Sequence, residues 1–201
     1  MERSMGKKIV LIVSVLLVFA IQIINIASGV HYDWVVIAIE LLLILLVAVL
    51  VALISLKNYQ KMVVHFNNKN YDYVLSCKHM FFTKKNKEKH YIYYMKAMAY
   101  LEKKDLENFI FYVDKIDHRA LSLTKYFLKI IYSYLTNDEV QKRVYKEEYK
   151  NCYCEDQAVK SRYDTILRLV EKKEPYTEDE YSFVDSLSFE QIKALIKKQN
   201  N

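Results

Sequence analysis

The sequence predicts an all-α protein, a transmembrane helical hairpin followed by an all-helical domain, and three observations carry that expectation. Two long apolar runs open the chain, each able to cross the roughly 30 Å hydrocarbon layer of a bilayer as a helix. Only two glycines and one proline occur among 201 residues, which withholds the residues that tight hairpin turns need. Beyond residue 56, apolar side chains recur with helical period between short polar breaks, the pattern of amphipathic helices.

The membrane anchor is expected over residues 1–56, with spans at 9–28 and 34–56. Gln22 and Asn25 are the strongly polar members of the first span, and Glu40 is the single charge of the second. The short link from Gly29 to Asp33 makes the two spans antiparallel neighbours joined at one membrane face. Arg3, Lys7 and Lys8 precede the first span, Lys57 and Lys61 follow the second, and the link has neither Lys nor Arg. That asymmetry places the N-terminus and the C-terminal domain in the cytoplasm of a multi-pass cell-membrane protein. Tyr32 and Trp34 fall where an outer aromatic belt would hold them. The small residues Ala27-Ser28-Gly29 also offer a signal-cleavage site, but cleavage there would leave the main domain on the same side. With the turn centred on residue 31, Gln22 and Glu40 lie at equal depth, where a hydrogen bond between them would lock the pair. Contact between copies in a homo-oligomer is a variant of that structural role, and an ion pathway is the competing one.

The second domain is expected over residues 57–201, as seven or eight helices. Asn70, Asp105 and Asp117 each precede an apolar-periodic run as helix N-caps do. Thr177-Glu178-Asp179-Glu180 and Ser188-Phe189-Glu190-Gln191 read as capping boxes that open the last two helices. An internal period emerges as well: Ala99-Tyr100-Leu101 recurs 34 positions later as Ser133-Tyr134-Leu135, and Lys69-Asn70-Tyr71 recurs 35 positions later as Lys104-Asp105-Leu106. Paired helices at this period are the signature of tetratricopeptide-type stacking.

The stretch from Tyr91 to Ile116 resembles the tetratricopeptide repeat (TPR) family, with Tyr93 at the first large aromatic position, Ala97 at the small one and Tyr100 at the tyrosine. Phe127 and Tyr134 match in the following unit. Departures are Lys96 for a leucine, Phe109, Ile116 and Arg143 for alanines, Ile131 for a small residue, and no closing proline. The unit from Tyr59 to Phe82 matches weakly. The resemblance implies a TPR-like α-helical repeat domain that holds a protein partner on its concave side. By position, that side would carry Tyr91, Tyr94, Met98 and Glu102 in one unit and Lys125, Leu128 and Tyr132 in the next. Tyr93, Tyr100, Phe109, Phe127 and Tyr134 lie instead on stripes that neighbouring helices bury.

The net charge of +6 is concentrated between Lys57 and Lys104, where the only acids are Asp72, Glu88 and Glu102. Lys57, Lys61, Lys84, Lys85 and Lys87 are expected to face anionic membrane lipid, at about 1 kcal/mol for each that reaches the surface. The run Lys84-Lys85-Asn86-Lys87-Glu88-Lys89 falls in a connection without a docking motif, so no nucleic-acid partner is expected. Cys77, Cys152 and Cys154 form no even-numbered framework and read as free thiols of a reducing compartment. The one-residue gap between Cys152 and Cys154 is shorter than structural zinc spacing, and no metal or cofactor is expected. Both glycines precede residue 30, which excludes a glycine-rich phosphate loop from the second domain. The histidines have no identifiable nucleophile and acid partners, so no catalytic residue is assigned. The function expected is that of a membrane-tethered scaffold or adaptor binding a cytoplasmic or membrane protein. The alternative is a small accessory subunit of a transporter or channel, with its function in the hairpin.

Overall fold

A computed structural model describes residues 34–77, 87–154, 156–172 and 174–198. The first predicted span, Gln22 with its proposed pairing to Glu40, and Lys84 and Lys85 lie outside the described residues. Those described are all-α, without a strand. They divide into two units, the first holding the chain up to Val64 together with Cys77, the second holding His65–Ser76 and the chain from Lys87 onward.

The first element, α1, runs Trp34–Asn67 over 34 residues, rich in leucine and free of glycine and proline, so nothing in it interrupts the backbone ladder. Its portion Ala38–Asn67 is the one helix among the described residues that is long and apolar enough to cross a membrane. Leu41, Leu42 and Leu45 are each more than 60% exposed, the reverse of a soluble core helix. Ser55 turns its hydroxyl back to the Val51 carbonyl at 2.9 Å, which satisfies it within the helix. The helix does not stop at residue 56, where the apolar run gives way to Lys57. Charged side chains change the solvent a helix prefers, and no breaker stands before Asn68.

In the second unit α2 (Tyr71–Ser76), α3 (Lys87–Glu102), α4 (Leu106–Asp114), α5 (Ser122–Thr136) and α6 (Glu139–Lys150) follow in order, each from α3 on packed against the one before, with a 3-10 turn at Arg119–Leu121. Next come α7 (Gln157–Glu171), α8 (Glu178–Ser186) and α9 (Glu190–Lys198), and α9 returns to pack on α3, α5, α7 and α8. Met98, Phe109, Leu128, Ile131, Leu169 and Ile196 are almost wholly enclosed at the centre of this packing.

One joint occurs three times. The helix ahead of it closes through a left-handed residue, Lys69, Lys104 or Asn137, at φ of 56°, 61° and 56°. The N–H of the next residue then reaches back five positions: Asn70 to His65, Asp105 to Tyr100, Asp138 to Ser133, at 2.8, 3.0 and 2.9 Å. This closes the helix C-terminus in Schellman fashion. The same Asn or Asp then caps the following helix, its side chain accepting from the N–H of Tyr73, Asn108 or Gln141. The next junctions depart from expectation. His118, and not Asp117, is the side-chain cap here: it caps the 3-10 turn by accepting from Ala120 N–H at 3.2 Å, and α5 itself begins after Leu121 without a side-chain cap. The Asp117 N–H is donated to buried His90 Nδ1 at 3.0 Å, which ties the start of α3 to the α4–α5 connection. Thr177 and Glu180 form the capping box of α8.

Candidate binding groove

Three helices, α3, α5 and α7, and the return helix α9 enclose two adjoining hollows. The larger, of about 400 Å³, falls in the size range of small-ligand and side-chain pockets. Tyr91 and Tyr94 of α3, Leu123 and Thr124 of α5, Val159 and Tyr163 of α7, and Tyr153 and Cys154 of the α6–α7 connection wall it. The smaller, of about 240 Å³, lies against Met98, Phe127, Leu128, Arg162 and Ile166, with Phe189 and Ile192 closing the far side. Tyr94, Val159 and Tyr163 belong to both, so they form the ledge between the two. A third depression, about 320 Å³, is lined by polar and charged residues of α7 alone and has no second wall.

The ledge is built from aromatic stacking. The Phe127 and Tyr163 rings lie 4.1 Å apart and almost parallel, at 4°, and the Tyr163 hydroxyl bonds Thr124 Oγ1 at 3.1 Å. Two further ties hold α7 in place: Tyr149 donates its hydroxyl to Asp164 at 2.8 Å, and Tyr134 and Lys146 both donate to Glu171. Across the smaller hollow, Phe66 at the end of α1 meets the Tyr94 and Phe189 rings, each at 6.0 Å between centroids. Burial, with Tyr163 and Tyr91 nearby, pushes the Tyr94 hydroxyl well above the ordinary tyrosine range, and Arg162 opposes that rise. Burial raises Tyr163 as well, against the hydrogen bond to Thr124. Both remain protonated donors near neutral pH.

Of the positions expected on the concave side, Tyr91, Tyr94, Met98 and Leu128 are brought together on these walls. Glu102 stands at the end of α3 and accepts from the N–H groups of Glu190 and Gln191, at 3.2 Å each. It thereby caps α9 from another helix, and these two donors are not left to the Ser188 capping box. Lys125 reaches the Asp114 carbonyl at 3.5 Å, and its ammonium is held below the usual lysine range by burial and by Lys129. Tyr132 packs on Phe109, 6.3 Å between centroids. Lys57 and Lys61 are exposed on α1. Lys87 borders the larger hollow, its ammonium 5.7 Å from the Tyr91 ring centre.

The α7 and α9 contributions were not anticipated. Val159, Arg162, Tyr163 and Ile166 follow one helical stripe, a legible signal, but the repeat resemblance ends with the unit of Phe127 and Tyr134 and does not reach them. Phe189 and Ile192 close the hollow by a return of the chain that no local pattern encodes.

No protein-family model matches the chain, and no curated protein and no solved structure is significantly similar to it. What defines it is its own geometry: an all-α protein with a helix able to cross a membrane and a tyrosine-lined groove between three other helices.

Proposed function

We propose that the chain is a membrane-tethered scaffold or adaptor that holds a protein partner in the groove between α3, α5 and α7. The observation that carries this reading is the groove itself, two adjoining hollows, the smaller mainly apolar and the larger of mixed lining, with amphipathic tyrosines on their walls, a lining suited to partner anchors. The joint that recurs at residues 69, 104 and 137 supports a TPR-like arrangement of paired helices. The apolar helix supports membrane attachment, and its length of about 51 Å at 1.5 Å per residue exceeds the roughly 30 Å hydrocarbon layer. With the expected hairpin and the basic flanks, both termini face the cytoplasm, where Lys57, Lys61, Lys84, Lys85 and Lys87 are near anionic lipid. Tethering raises the local concentration of a partner at the bilayer without chemistry.

The test is site-specific photocrosslinking in intact membranes from a probe placed at Tyr91, against a control probe at exposed Val140 on α6. Capture of a discrete protein from position 91 and not from 140 is expected. Recovery of lipid alone from both positions would sink the proposal. Labelling of Cys154 only from outside sealed cells would overturn the cytoplasmic placement. Glu40, an acid within the apolar helix, keeps the transport-subunit reading in view. Glu40→Gln leaves partner capture intact under the scaffold reading, and abolishes ion flux under the other.

A further inference from the structure

Cations border both hollows. Lys87 stands at the mouth of the larger and Arg162 on the wall of the smaller, and neither has a carboxylate within ion-pair distance among the described residues. Arg119 adds a third cation, its guanidinium 4.6 Å from the ring centre of Tyr153 on the outer wall. Among the described residues, the one acid on these walls is Asp156, and it is committed to its own helix: its carboxylate accepts from the N–H groups of Ala158 and Val159 at 3.0 and 3.3 Å. Glu102, further along α3, is committed to α9.

Hydroxyl groups add a second, independent sign. Tyr91 and Tyr94 line the hollows, and neither hydroxyl has a hydrogen-bond partner among the described residues, in contrast to Tyr163, Tyr134, Tyr149 and Tyr176. No buried side-chain N or O atom among the described residues is left without a partner, so these two hydroxyls, on residues that line the hollows, keep access to solvent. The Tyr94 hydroxyl, with Arg162 beside it on the wall of the mainly apolar smaller hollow, is placed to receive an anion through a charge-assisted bond. A carboxylate gains charge-assisted bonds there, whereas an ammonium meets like charge.

We infer that the occupant of the groove is an acidic peptide segment, with one carboxylate received by Tyr94 and Arg162 and an adjacent apolar side chain seated in the smaller hollow. This rests on the groove reading and narrows it to one chemistry. The +6 chain attracts any acidic peptide at long range, so the discriminating feature is local: the charge must matter at Arg162 and not elsewhere on the same helix.

The experiment uses the full chain in nanodiscs of zwitterionic lipid and three fluorescent peptides of one pattern, Phe and Leu alternating with Glu, Gln or Lys. The Glu peptide is expected to bind about tenfold more tightly than the Gln peptide, and the Lys peptide least. Arg162→Gln and Tyr94→Phe bring the Glu-to-Gln ratio toward one while leaving the Gln peptide unchanged. Lys160→Gln, the same loss of charge on the outer face of α7, leaves the ratio intact. Val159→Trp, which fills the ledge shared by both hollows, abolishes binding of every peptide. Equal binding of Glu and Gln peptides, still lost in Val159→Trp, overturns the acidic occupant and leaves the groove standing. Equal losses in Lys160→Gln and Arg162→Gln also overturn it. Binding indifferent to Val159→Trp, or no binding of any peptide, removes the groove reading as well.

Discussion

Lys104 holds a left-handed backbone, at φ of 61°, where a β-carbon costs roughly 1–2 kcal/mol. Glycine would relieve that cost but adds unfolded-state entropy. Lys104→Gly is therefore expected to stabilise the domain by about 0.5 kcal/mol, read as a higher urea midpoint at constant slope. Asn137→Gly gains less, because asparagine tolerates this region. Glu180 makes a pH-dependent contribution. Hydrogen bonds from Lys172, the Thr177 backbone and Arg168 hold its carboxyl down to about 2, from an ordinary 4.5. A depressed carboxylate contributes stability that is complete above the unfolded value and is lost as pH falls through the folded one. Glu180→Gln is therefore expected to melt below the parent protein at pH 7, with the gap closing between about pH 4.5 and pH 2. A constant gap across that window would show that the carboxylate charge is not the source.

Among the helices, α9 depends on a cap it does not carry. Removing the Glu102 carboxylate leaves the first N–H groups of α9 without their acceptor, at a cost of about 1 kcal/mol. Glu102→Ala should accordingly speed amide exchange in residues 190–196 more than in α5. Uniform exchange would mean that water or Ser188 replaces the cap without loss. The stack of Phe127 on Tyr163 fixes α7 more firmly: Phe127→Ala is expected to cost about 3–5 kcal/mol, measured by thermal or urea unfolding. Local caps at Asn70, Asp105 and Thr177 were legible in sequence because the acceptor and its N–H lie within one turn. The cap by Glu102 was not, since it joins residues 88 and 89 positions apart. Distance likewise hid the bond from Asp117 N–H to His90, and at this junction it is His118 that caps, at the 3-10 turn. Tyr91, Tyr94, Met98 and Leu128 could be placed together because the tetratricopeptide resemblance implies, by position, which residues share the concave side. The same resemblance implies Lys125 and Tyr132, but Asp114 and Phe109 take them up, and only packing reveals such partners.

Taken over the full chain, helical class was readable from the scarcity of glycine and proline and from the period of the apolar residues. A helix long and apolar enough to cross a membrane was readable from length and composition, although its continuation to Asn67 was not, because a change from leucine to lysine looks like an end. Leu45→Arg tests its solvent directly. A charge at mid-span costs about 2.5–3.5 kcal/mol in translocon-mediated insertion, so the fraction resistant to carbonate extraction should fall, and an unchanged fraction would deny that this helix lies in lipid. The return of α9 has a consequence for biosynthesis. A ribosome delivers α3, α5 and α7 before the segment bearing Ile192, Leu195 and Ile196, so each nascent chain passes through a stage with Met98 and Leu128 uncovered. Messages interrupted near codon 189 would yield products that retain the greasy slot without its own plug, and these are the species that chaperones and proteases should find first.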